Sequence, residues 1–532
     1  MSSVTPGAPV GVVGAGTMGT GIAEVASRAG HPVRLLDAAP GAGAAAIEGL
    51  AGRLARDVEK GRLDQAEADG VARRVAVVDD VAALAGCSVV IEAVAERLDV
   101  KQQLFSALED VLDPSVLLAT NTSSLSVTAV AAPLRHPERV VGLHFFNPAP
   151  RMRLVEVVRG EDTAPDVVEA ATDLARAWGK TPVQCTSTPG FIVNRVARPF
   201  YGEAQRMVEE GVADPATIDL VLRECGGFPM GPFELTDLVG QDVNLAVSRS
   251  VWEQTFGDPR YAPTVFQQRL VDAGRLGRKT GRGVFDYRDG AAGARPPVAS
   301  ESKRPAPHRV HRASGDGWGF MEPLVDRARA GGIEILDLDD ADDSVIVGAI
   351  HLPGEGMLLP TGARSINYVG GFSPVAESGD VTGVIALDWV RDAATCTRVA
   401  LAPSLGCSAQ ALDAAIGFCQ AAGMDVTVVG DGAGMIVART VAMIVNEAAE
   451  LLARREANAH DIDRAMTLGT GYPVGPLTWG DHIGPDTVHD LISDLQVDND
   501  SGRYRPSRLL ADAHSGSRSL LDLGEQHGER SA

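Results

Sequence analysis

The chain has 532 residues, of which 45% are hydrophobic and 22% charged, as in ordinary soluble globular proteins. At about 150 residues per domain, this length predicts three to four domains. The 48 basic and 70 acidic residues give a net charge of −22, which argues against nucleic acid as a partner because phosphate recognition needs a basic surface. No apolar run reaches the roughly eighteen residues of a membrane span, and the first nine residues lack a signal-peptide pattern. We therefore expect a cytoplasmic protein with no membrane partner.

The six cysteines are spread singly along the chain, and none forms a CxxC pair. This spacing favours reduced thiols, and it gives a catalytic thiol no partner motif. We accordingly expect no bound metal.

Residues 1–187 alternate short apolar runs with helical stretches. The strand candidates in this part are Pro9–Gly14, Pro32–Asp37, Val75–Val78, Ser88–Val94, Val116–Asn121 and Val140–Phe145. Strands that alternate with helices predict a doubly wound, mostly parallel α/β sheet of the Rossmann type.

The rest of the chain divides by composition. Residues 188–290 are helical in pattern and predict an all-α domain, and residues 291–312, rich in Pro, Ala, Arg and Ser, predict a linker. Residues 313–425 form a mixed α/β middle segment with β-like runs at Ile333–Leu338, Ser344–Ile350 and Val381–Leu387. Residues 426–515 predict a second helical domain, followed by a tail at 516–532.

The second helical domain repeats the first. The sequence FIVNR at Phe191–Arg195 matches MIVAR at Met435–Arg439, and GFPMGP at Gly227–Pro232 matches GYPVGP at Gly471–Pro476. The spacing in sequence is identical for both pairs, and this constant offset predicts a duplicated domain. The second copy has Ala438 in place of Asn194, so we expect one active site and a structural, degenerate second copy.

A glycine-rich fingerprint follows the first strand directly. Gly14, Gly16 and Gly19, with Thr17 and Met18 between them, read GxGxxG at the start of a helix. The first glycine allows a tight turn, the second lets the backbone approach a pyrophosphate, and the third lets the helix pack on the strand. Asp37 ends the second strand, where an acid hydrogen-bonds ribose hydroxyls and repels a 2′-phosphate. The pattern predicts an NAD site.

Polar side chains follow or interrupt several other apolar runs. His144 lies between apolar residues and on its own is typical of a core histidine. Glu156, in the run LVEVV, needs a partner because an unpaired buried carboxylate is costly. A His–Glu pair would fix the tautomer of the ring and stabilise an imidazolium. Asn194 interrupts an apolar helix start, and the cluster at 120–125 is either a ligand-binding loop or only a polar turn.

The segments GAGTMG, NTSSL, LHFFNP, LVEV, PGFIVNR, GFPMGPFEL and LGRKTGRGVFDY together resemble the 3-hydroxyacyl-CoA dehydrogenase family. The resemblance runs from about Val10 to Tyr287, and the duplicate extends it to about Ser507. The layout is similar to the long bacterial form often found in aerobic phenylacetate catabolism, whose proposed substrate is 3-hydroxyadipyl-CoA. It implies NAD-dependent oxidation of an (S)-3-hydroxyacyl-CoA to the 3-oxoacyl-CoA.

The resemblance also implies roles for particular residues. The acid–base pair falls on His144 and Glu156, and the substrate contacts fall on Ser123 and Asn194. The cofactor contacts beyond the glycine loop fall on Asp37, Glu96, Lys101 and Asn121.

Some alternatives stay open at this point. Arg53, Arg56 and Lys60 share one helix face and form either a patch for the phosphates of coenzyme A or a solvated face with intrahelical pairs such as Arg56 with Glu59. The second helical copy either imitates the pairing of two short chains internally or adds an interface for a homo-oligomer. The competing class of function is a non-catalytic, NAD-binding structural protein of the same fold.

Overall fold

The computed structural model describes residues 5–288, 298–313, 319–338, 349–353, 356–361 and 383–529. The chain forms two compact units. One is built on the residues up to Arg195 together with Arg455–Thr470, and the other on Val196–Arg454 together with the residues from Gly471 onward. None of the helices in the described ranges is both long enough and apolar enough to cross a bilayer.

The first unit contains an eight-stranded sheet. Its strands are β1 (Val10–Val13), β2 (Val33–Leu36), β3 (Val75–Val78), β4 (Val89–Glu92), β5 (Leu117–Thr120), β6 (Val140–Phe145), β7 (Leu154–Arg159) and β8 (Thr181–Thr186). Their order is β3-β2-β1-β4-β5-β6-β7-β8, with every neighbouring pair parallel except β6 and β7. Strands β1, β4 and β5 are buried along their whole length, which explains their continuous apolar runs.

Helices cover this sheet and supply its core. They are α1 (Thr17–Arg28), α2 (Ala42–Glu59), α3 (Gln65–Arg74), α4 (Leu98–Val111), α5 (Val127–Ala131), α6 (Pro165–Ala177), α7 (Val193–Val196) and, from the far end of the chain, α16 (Ala459–Gly469). Ile22 and Leu50 on the helices pack with Val12 and Leu35 on the strands in one buried cluster. Helix α16 packs on β7 and β8, so a part of the second helical copy belongs to the first unit.

The second unit holds the other helices and a mixed sheet. Its helices are α8 (Arg198–Glu209), α9 (Pro215–Glu224), α10 (Pro232–Val239), α11 (Gln241–Gln254), α12 (Val265–Asp272), α13 (Glu322–Ala330), α14 (Ala409–Ala421), α15 (Val437–Ala453), α17 (Pro476–Ile483), α18 (Pro485–Asp498), α19 (Arg508–Gly516) and α20 (Leu520–Glu529). Its strands are β9 (Arg309–Ala313), β10 (Glu334–Leu338), β11 (Ile350–Leu352), β12 (Gly356–Pro360), β13 (Val384–Leu387), β14 (Arg398–Pro403) and β15 (Asp425–Val428). The strand order is β10-β9-β11-β12-β13-β14-β15.

The predicted fold class is confirmed: a Rossmann-type sheet, helical domains and a mixed middle sheet are all present. The run predicted at 333–338 forms β10, whereas most of the run at 344–350 and the start of the run at 381–387 lie outside the described residues. Some elements extend beyond the composition-based boundaries. Strand β9 begins at Arg309, inside the predicted linker, and α20 occupies the predicted tail, because each buries apolar side chains such as Val310 and Leu520.

The duplication is visible in the backbone. Helices α9, α10 and α11 correspond to α16, α17 and α18, and the first residues of each pair are separated by the same offset as the repeated motifs. The left-handed conformation of Phe191, with φ 48°, recurs at Met435 with φ 52°, and that of Gly211 recurs at Arg455. Conserved geometry at these unusual positions shows that both copies keep the same turns.

Within the second unit, the two copies contact each other reciprocally through α8 and α15. Glu203 of the first copy binds Arg503 and Tyr504 of the second. Glu447, the counterpart of Glu203 in the repeat, binds Tyr261 of the first copy. Equivalent residues that exchange equivalent contacts define an isologous interface, here formed inside one chain.

Candidate active site

The His144–Glu156 pair is a consequence of strand register. Strands β6 and β7 are antiparallel neighbours, and His144 lies directly opposite Glu156. His144 Nδ1 lies 2.6 Å from Glu156 Oε2, and both side chains are buried. Because a carboxylate can only accept, the shared proton of the neutral ring lies on Nδ1, which leaves the lone pair on Nε2. The predicted dyad is therefore assembled with its ring oriented for proton transfer.

The other oxygen of Glu156 fixes the start of helix α7. Glu156 Oε1 accepts hydrogen bonds from the backbone N–H groups of Ile192 and Val193, at 3.1 and 2.9 Å. These bonds satisfy N–H groups that a helix start leaves without intrahelical partners. The left-handed Phe191 directs its ring toward His144, with the two ring centroids 5.9 Å apart. One carboxylate thus holds both the imidazole and the helix that carries Asn194.

The glycine loop has the geometry that a dinucleotide needs. A Cβ at Gly19 would lie 1.8 Å from the carbonyl oxygen of Gly14, and a Cβ at Gly14 would lie 2.4 Å from that of Ala93. A Cβ at Gly16 would meet no heavy atom within 4 Å. Gly14 and Gly19 therefore serve the protein's own packing, whereas Gly16 leaves open space at the N-terminus of α1, where a pyrophosphate binds.

Asp37 stands at the end of β2 beside this loop. Its Oδ2 accepts a hydrogen bond from the N–H of Ala15 at 2.6 Å, and its Oδ1 accepts one from Ala39. Thr17 is exposed and Met18 half-buried at the first turn of α1. The chemistry of these residues fits an NAD molecule, because the carboxylate oxygens of Asp37 can accept hydrogen bonds from the ribose hydroxyls.

Glu96 organises the loop that follows β5. Its Oε1 accepts hydrogen bonds from the hydroxyl of Thr122 and from the backbone N–H groups of Ser123 and Ser124. Burial alone would raise the pKa of Glu96, but the Lys101 ammonium and these hydrogen bonds lower it below its usual value. The side chain is therefore a carboxylate at neutral pH, and it fixes the position of the Ser123 side chain.

Lys101 is held by two carboxylates. Its Nζ lies 2.6 Å from Glu92 Oε1 and 3.2 Å from Glu96 Oε2, and its side chain is fully buried. Glu92 also accepts a hydrogen bond from the Thr120 hydroxyl, and it too is fully buried. Sequence reasoning missed Glu92, although it shows the same signal as Glu156: a carboxylate in an apolar strand. A direct contact of Lys101 with the cofactor stays a prediction.

The two remaining predicted residues join this group. Asn121 Oδ1 accepts a hydrogen bond from the backbone N–H of Phe145, next to His144, at 2.8 Å. Asn194 Nδ2 donates to the backbone carbonyl of Ser123 at 3.3 Å. The structure thus brings Asn121, Ser123 and Asn194 close to the His144–Glu156 dyad, near the carboxyl ends of β5 and β6.

A basic cavity of about 340 Å³ opens beside α1 and α2 in the same unit. It is lined by five cationic side chains, those of Arg28, Arg53, Arg56, Lys60 and Arg151. Glu24 binds Arg28 and Arg53 there, and Asp57 binds Arg28. Five cations against these two carboxylates leave an excess of positive charge in a strongly acidic protein.

The degenerate copy keeps part of the same design. Asp388 Oδ2 accepts hydrogen bonds from the N–H groups of Ile436 and Val437, which correspond to Ile192 and Val193. Burial raises the pKa of Asp388 to about 6. Asp388 therefore holds the start of α15 as Glu156 holds that of α7, but this helix carries Ala438 in place of Asn194.

Comparison with known proteins gives a consistent result. Residues 9–188 match the family model for the 3-hydroxyacyl-CoA dehydrogenase NAD binding domain. Residues 190–287 and 434–519 match the model for the C-terminal domain of the same enzymes, and residues 375–432 match a 3-hydroxybutyryl-CoA dehydrogenase reduced Rossmann-fold domain.

Individual relatives share the whole layout or half of it. The chain is 43% identical to the 3-hydroxyadipyl-CoA dehydrogenase of Escherichia coli (strain K12), over 97% of this chain and 98% of that protein. A crystal structure of 3-hydroxybutyryl-CoA dehydrogenase from Escherichia coli K12 matches with a TM-score of 0.84 at 40% identity, covering 97% of this chain and 100% of that one. A probable 3-hydroxybutyryl-CoA dehydrogenase of Bacillus subtilis is 41% identical over 52% of this chain and 96% of its own length.

The fold and the dyad define a nucleotide-dependent dehydrogenase. The matched family models cover both its NAD binding domain and its C-terminal domain. The chain belongs to the 3-hydroxyacyl-CoA dehydrogenase family. The predicted enzyme class and the predicted NAD cofactor are thereby confirmed.

Proposed function

We propose that this chain oxidises an (S)-3-hydroxyacyl-CoA to the 3-oxoacyl-CoA, with His144 as the base and Glu156 as its partner. The observation that carries the proposal is the buried 2.6 Å contact between His144 Nδ1 and Glu156 Oε2. Nε2 of a ring held in this way accepts the proton of the 3-hydroxyl group. As the imidazolium forms, the adjacent carboxylate stabilises it.

The surrounding residues bind and orient the substrate. NAD, when bound, accepts the hydride that leaves C3. The Ser123 hydroxyl and the Asn194 amide hydrogen-bond the substrate oxygens, and so keep C3 in line for transfer. Phe146 and Phe191, with ring centroids 4.5 and 5.9 Å from that of His144, limit the access of water to the dyad.

The basic cavity supports a coenzyme A thioester as the substrate. Among the residues that line it, Arg56 lies on α2 and Lys60 directly follows that helix, and their cationic groups are suited to bind nucleotide phosphates. Such a patch counters the net charge of −22, which would otherwise repel a polyanionic substrate. The Arg56–Glu59 pair of the alternative reading is not among the ion pairs of the described residues, whereas Arg53 pairs with Glu24.

The acyl group follows from the relatives. The protein that matches 97% of this chain at 43% identity is named for 3-hydroxyadipyl-CoA, and the E. coli structure is described by 3-hydroxybutyryl-CoA. We propose 3-hydroxyadipyl-CoA as the preferred substrate and 3-hydroxybutyryl-CoA as a slower one. The reciprocal contacts of the helical copies further support an internal pseudo-dimer that replaces the pairing of two short chains.

The decisive experiment is the initial rate of NAD⁺ reduction with each thioester, measured in parallel on wild-type protein and on His144→Ala. We expect a faster rate with 3-hydroxyadipyl-CoA, and a roughly 10²–10⁴-fold loss of kcat in the variant, the usual effect of losing an acid–base group. Binding of NADH to the folded variant is the control. A wild-type protein that binds NADH but turns over neither thioester would favour the non-catalytic structural protein, and an active His144→Ala variant would remove the dyad from the mechanism.

The coenzyme A site is tested with Lys60→Gln. We expect kcat/KM for a hydroxyacyl-CoA to fall about tenfold, because a cation–phosphate contact of about 1.4 kcal/mol is lost. The matched substrate is the same acyl group on pantetheine, which has no nucleotide and should be insensitive to the substitution. Equal losses on both substrates would place Lys60 outside the phosphate site.

A further inference from the structure

The part of the degenerate helical copy that belongs to the first unit carries a buried carboxylate, that of Glu456, beside the segment that leads to α7. Glu456 lies three residues before the first residue of α16, and its side chain is 9% exposed. Glu456 Oε2 accepts a hydrogen bond from the Thr188 hydroxyl at 2.8 Å and one from Arg195 Nη1 at 2.5 Å. Its backbone carbonyl accepts a third from the N–H of Thr186 at 2.9 Å. Arg195 is buried and follows Asn194 directly.

These contacts surround the segment that connects β8 to α7. Thr188 lies on the turn that leads to Phe191, and Arg195 lies on α7 itself. The same segment is held from its other side by Glu156, through Ile192 and Val193. Two carboxylates, one from the dyad and one from the second copy, thus fix the helix start on which Asn194 stands.

The duplication provides an internal comparison. The backbone bond from Thr186 to Glu456 has its counterpart in the bond from Gly430 to the carbonyl of Val212. The partners of the side chains differ: Thr188 corresponds to Gly432, and Glu456 corresponds to Val212. The backbone hydrogen bond is therefore common to both halves of the duplication. The side-chain hydrogen bond between Thr188 and Glu456 has no counterpart at Gly432 and Val212.

The arginine that follows is present in both halves but is held differently. Arg439, the counterpart of Arg195, is bound by both carboxylate oxygens of Glu210. The residue that corresponds to Glu210 in the second copy is Arg454, so a carboxylate is absent from that position. Glu456 supplies a carboxylate two positions after Arg454. Its Oε2 binds both Thr188 on the turn and Arg195 on α7.

We propose that Glu456 is a positioning residue of the active site: through Thr188 and Arg195 it sets the helix start that presents Asn194 to the substrate. The proposal rests on the proposed function, because it assumes that Asn194 contacts the substrate. It gives the degenerate copy a part in catalysis, since a residue of that copy completes the support of the active-site segment. Small displacements of a substrate-orienting group cost large factors in rate.

The test compares Glu456→Gln with Glu210→Gln. Both substitutions neutralise a carboxylate bound to a buried arginine, and only the first lies beside the dyad. We expect Glu456→Gln to lower kcat about 10–100-fold and to weaken binding of acetoacetyl-CoA, with the Kd of NADH within twofold of wild type. Glu210→Gln should lower the melting temperature similarly and leave kcat within twofold. Thr188→Val, which removes one hydrogen bond and no charge, should lower kcat about 3–10-fold.

Two readouts separate the possible failures. If Glu456→Gln and Glu210→Gln have the same kcat per folded molecule, or if the affinity for NADH falls in parallel, Glu456 is only a structural clamp and the proposal is wrong. If the wild-type protein itself turns over no thioester, the proposed function fails, and the acetoacetyl-CoA affinity still decides the role of Glu456. Unchanged acetoacetyl-CoA binding in Glu456→Gln would overturn it in that case.

Discussion

At the scale of single residues, the site depends on carboxylates placed where apolar side chains would normally stand. Glu92 and Glu156 both lie in buried strands, and each satisfies its oxygens with a cation or imidazole and with hydrogen-bond donors. The need of Glu156 for a partner was readable from the sequence, and His144 was the nearest titratable side chain in an adjacent run. Glu92 shows the same signal as Glu156, but no titratable side chain of a neighbouring strand candidate indicates its partner, which lies on α4. Glu456 cannot be recognised from local sequence, because its partners come from a distant part of the chain.

The substitution Glu156→Gln tests the tautomer of His144. The amide oxygen can still accept from Ile192 and Val193, but the amide nitrogen then faces Nδ1 of the ring and donates to it. The proton of the neutral ring moves to Nε2, which can no longer accept the proton of the substrate hydroxyl. We expect kcat to fall roughly 10²–10⁴-fold with little change in the KM for NAD⁺.

The measurement is steady-state kinetics together with the melting temperature. Glu169→Gln, an exposed substitution on α6, serves as the control and should behave as wild type. Wild-type turnover in a well-folded Glu156→Gln variant would show that the carboxylate only holds the start of α7.

At the scale of elements, the sequence predicts the strands, turns and helices whose formation is determined by a local sequence pattern. The apolar runs of the first unit give six of its strands, and the glycine fingerprint identifies the β1–α1 turn, because only glycine tolerates the approach seen at Gly14 and Gly19. The duplicated helices follow from the constant offset between the repeated motifs. The middle sheet could not be predicted in its order, since it combines parallel and antiparallel pairs of short strands. Such short strands carry little periodicity, and their pairing is decided by packing.

The helical copies also show how an element can change partners while it keeps its shape. Helix α9 packs on β14 in the second unit, and its duplicate α16 packs on β8 in the first. The sequence predicts both helices, but the repeat alone does not determine which sheet each helix packs on. The role that we propose for Glu456 depends on the contact of α16 with β8, so the sequence alone predicts only a structural second copy.

At the scale of the whole molecule, the reciprocal contact between the helical copies rests on buried charges in the second unit. Glu203 is fully buried, and its oxygens accept hydrogen bonds from Arg439 Nε and Arg503 Nε, each at 2.8 Å. Burial alone would raise the pKa of Glu203, but Arg503, Arg439 and Arg206 lower it from 4.5 to about 2. A depressed carboxyl pKa means that the folded state favours the ionised form.

This network predicts a specific dependence of stability on pH. Because the folded pKa lies below the unfolded one, the contribution of Glu203 is fully present above pH 5 and is lost as the pH falls toward 2. A shift of this size corresponds to about 3 kcal/mol of unfolding free energy. Glu203→Gln should therefore be less stable than wild type by about this amount at pH 7, and the difference should shrink steadily between pH 5 and pH 2.

Urea unfolding of both proteins at several pH values measures this difference in unfolding free energy. The contributions of all other titrating groups are the same in both proteins and cancel in the difference. Glu253→Gln, exposed on α11, should show no such trend. A difference between Glu203→Gln and wild type that does not change with pH would mean that Glu203 contributes through packing and not through its charge.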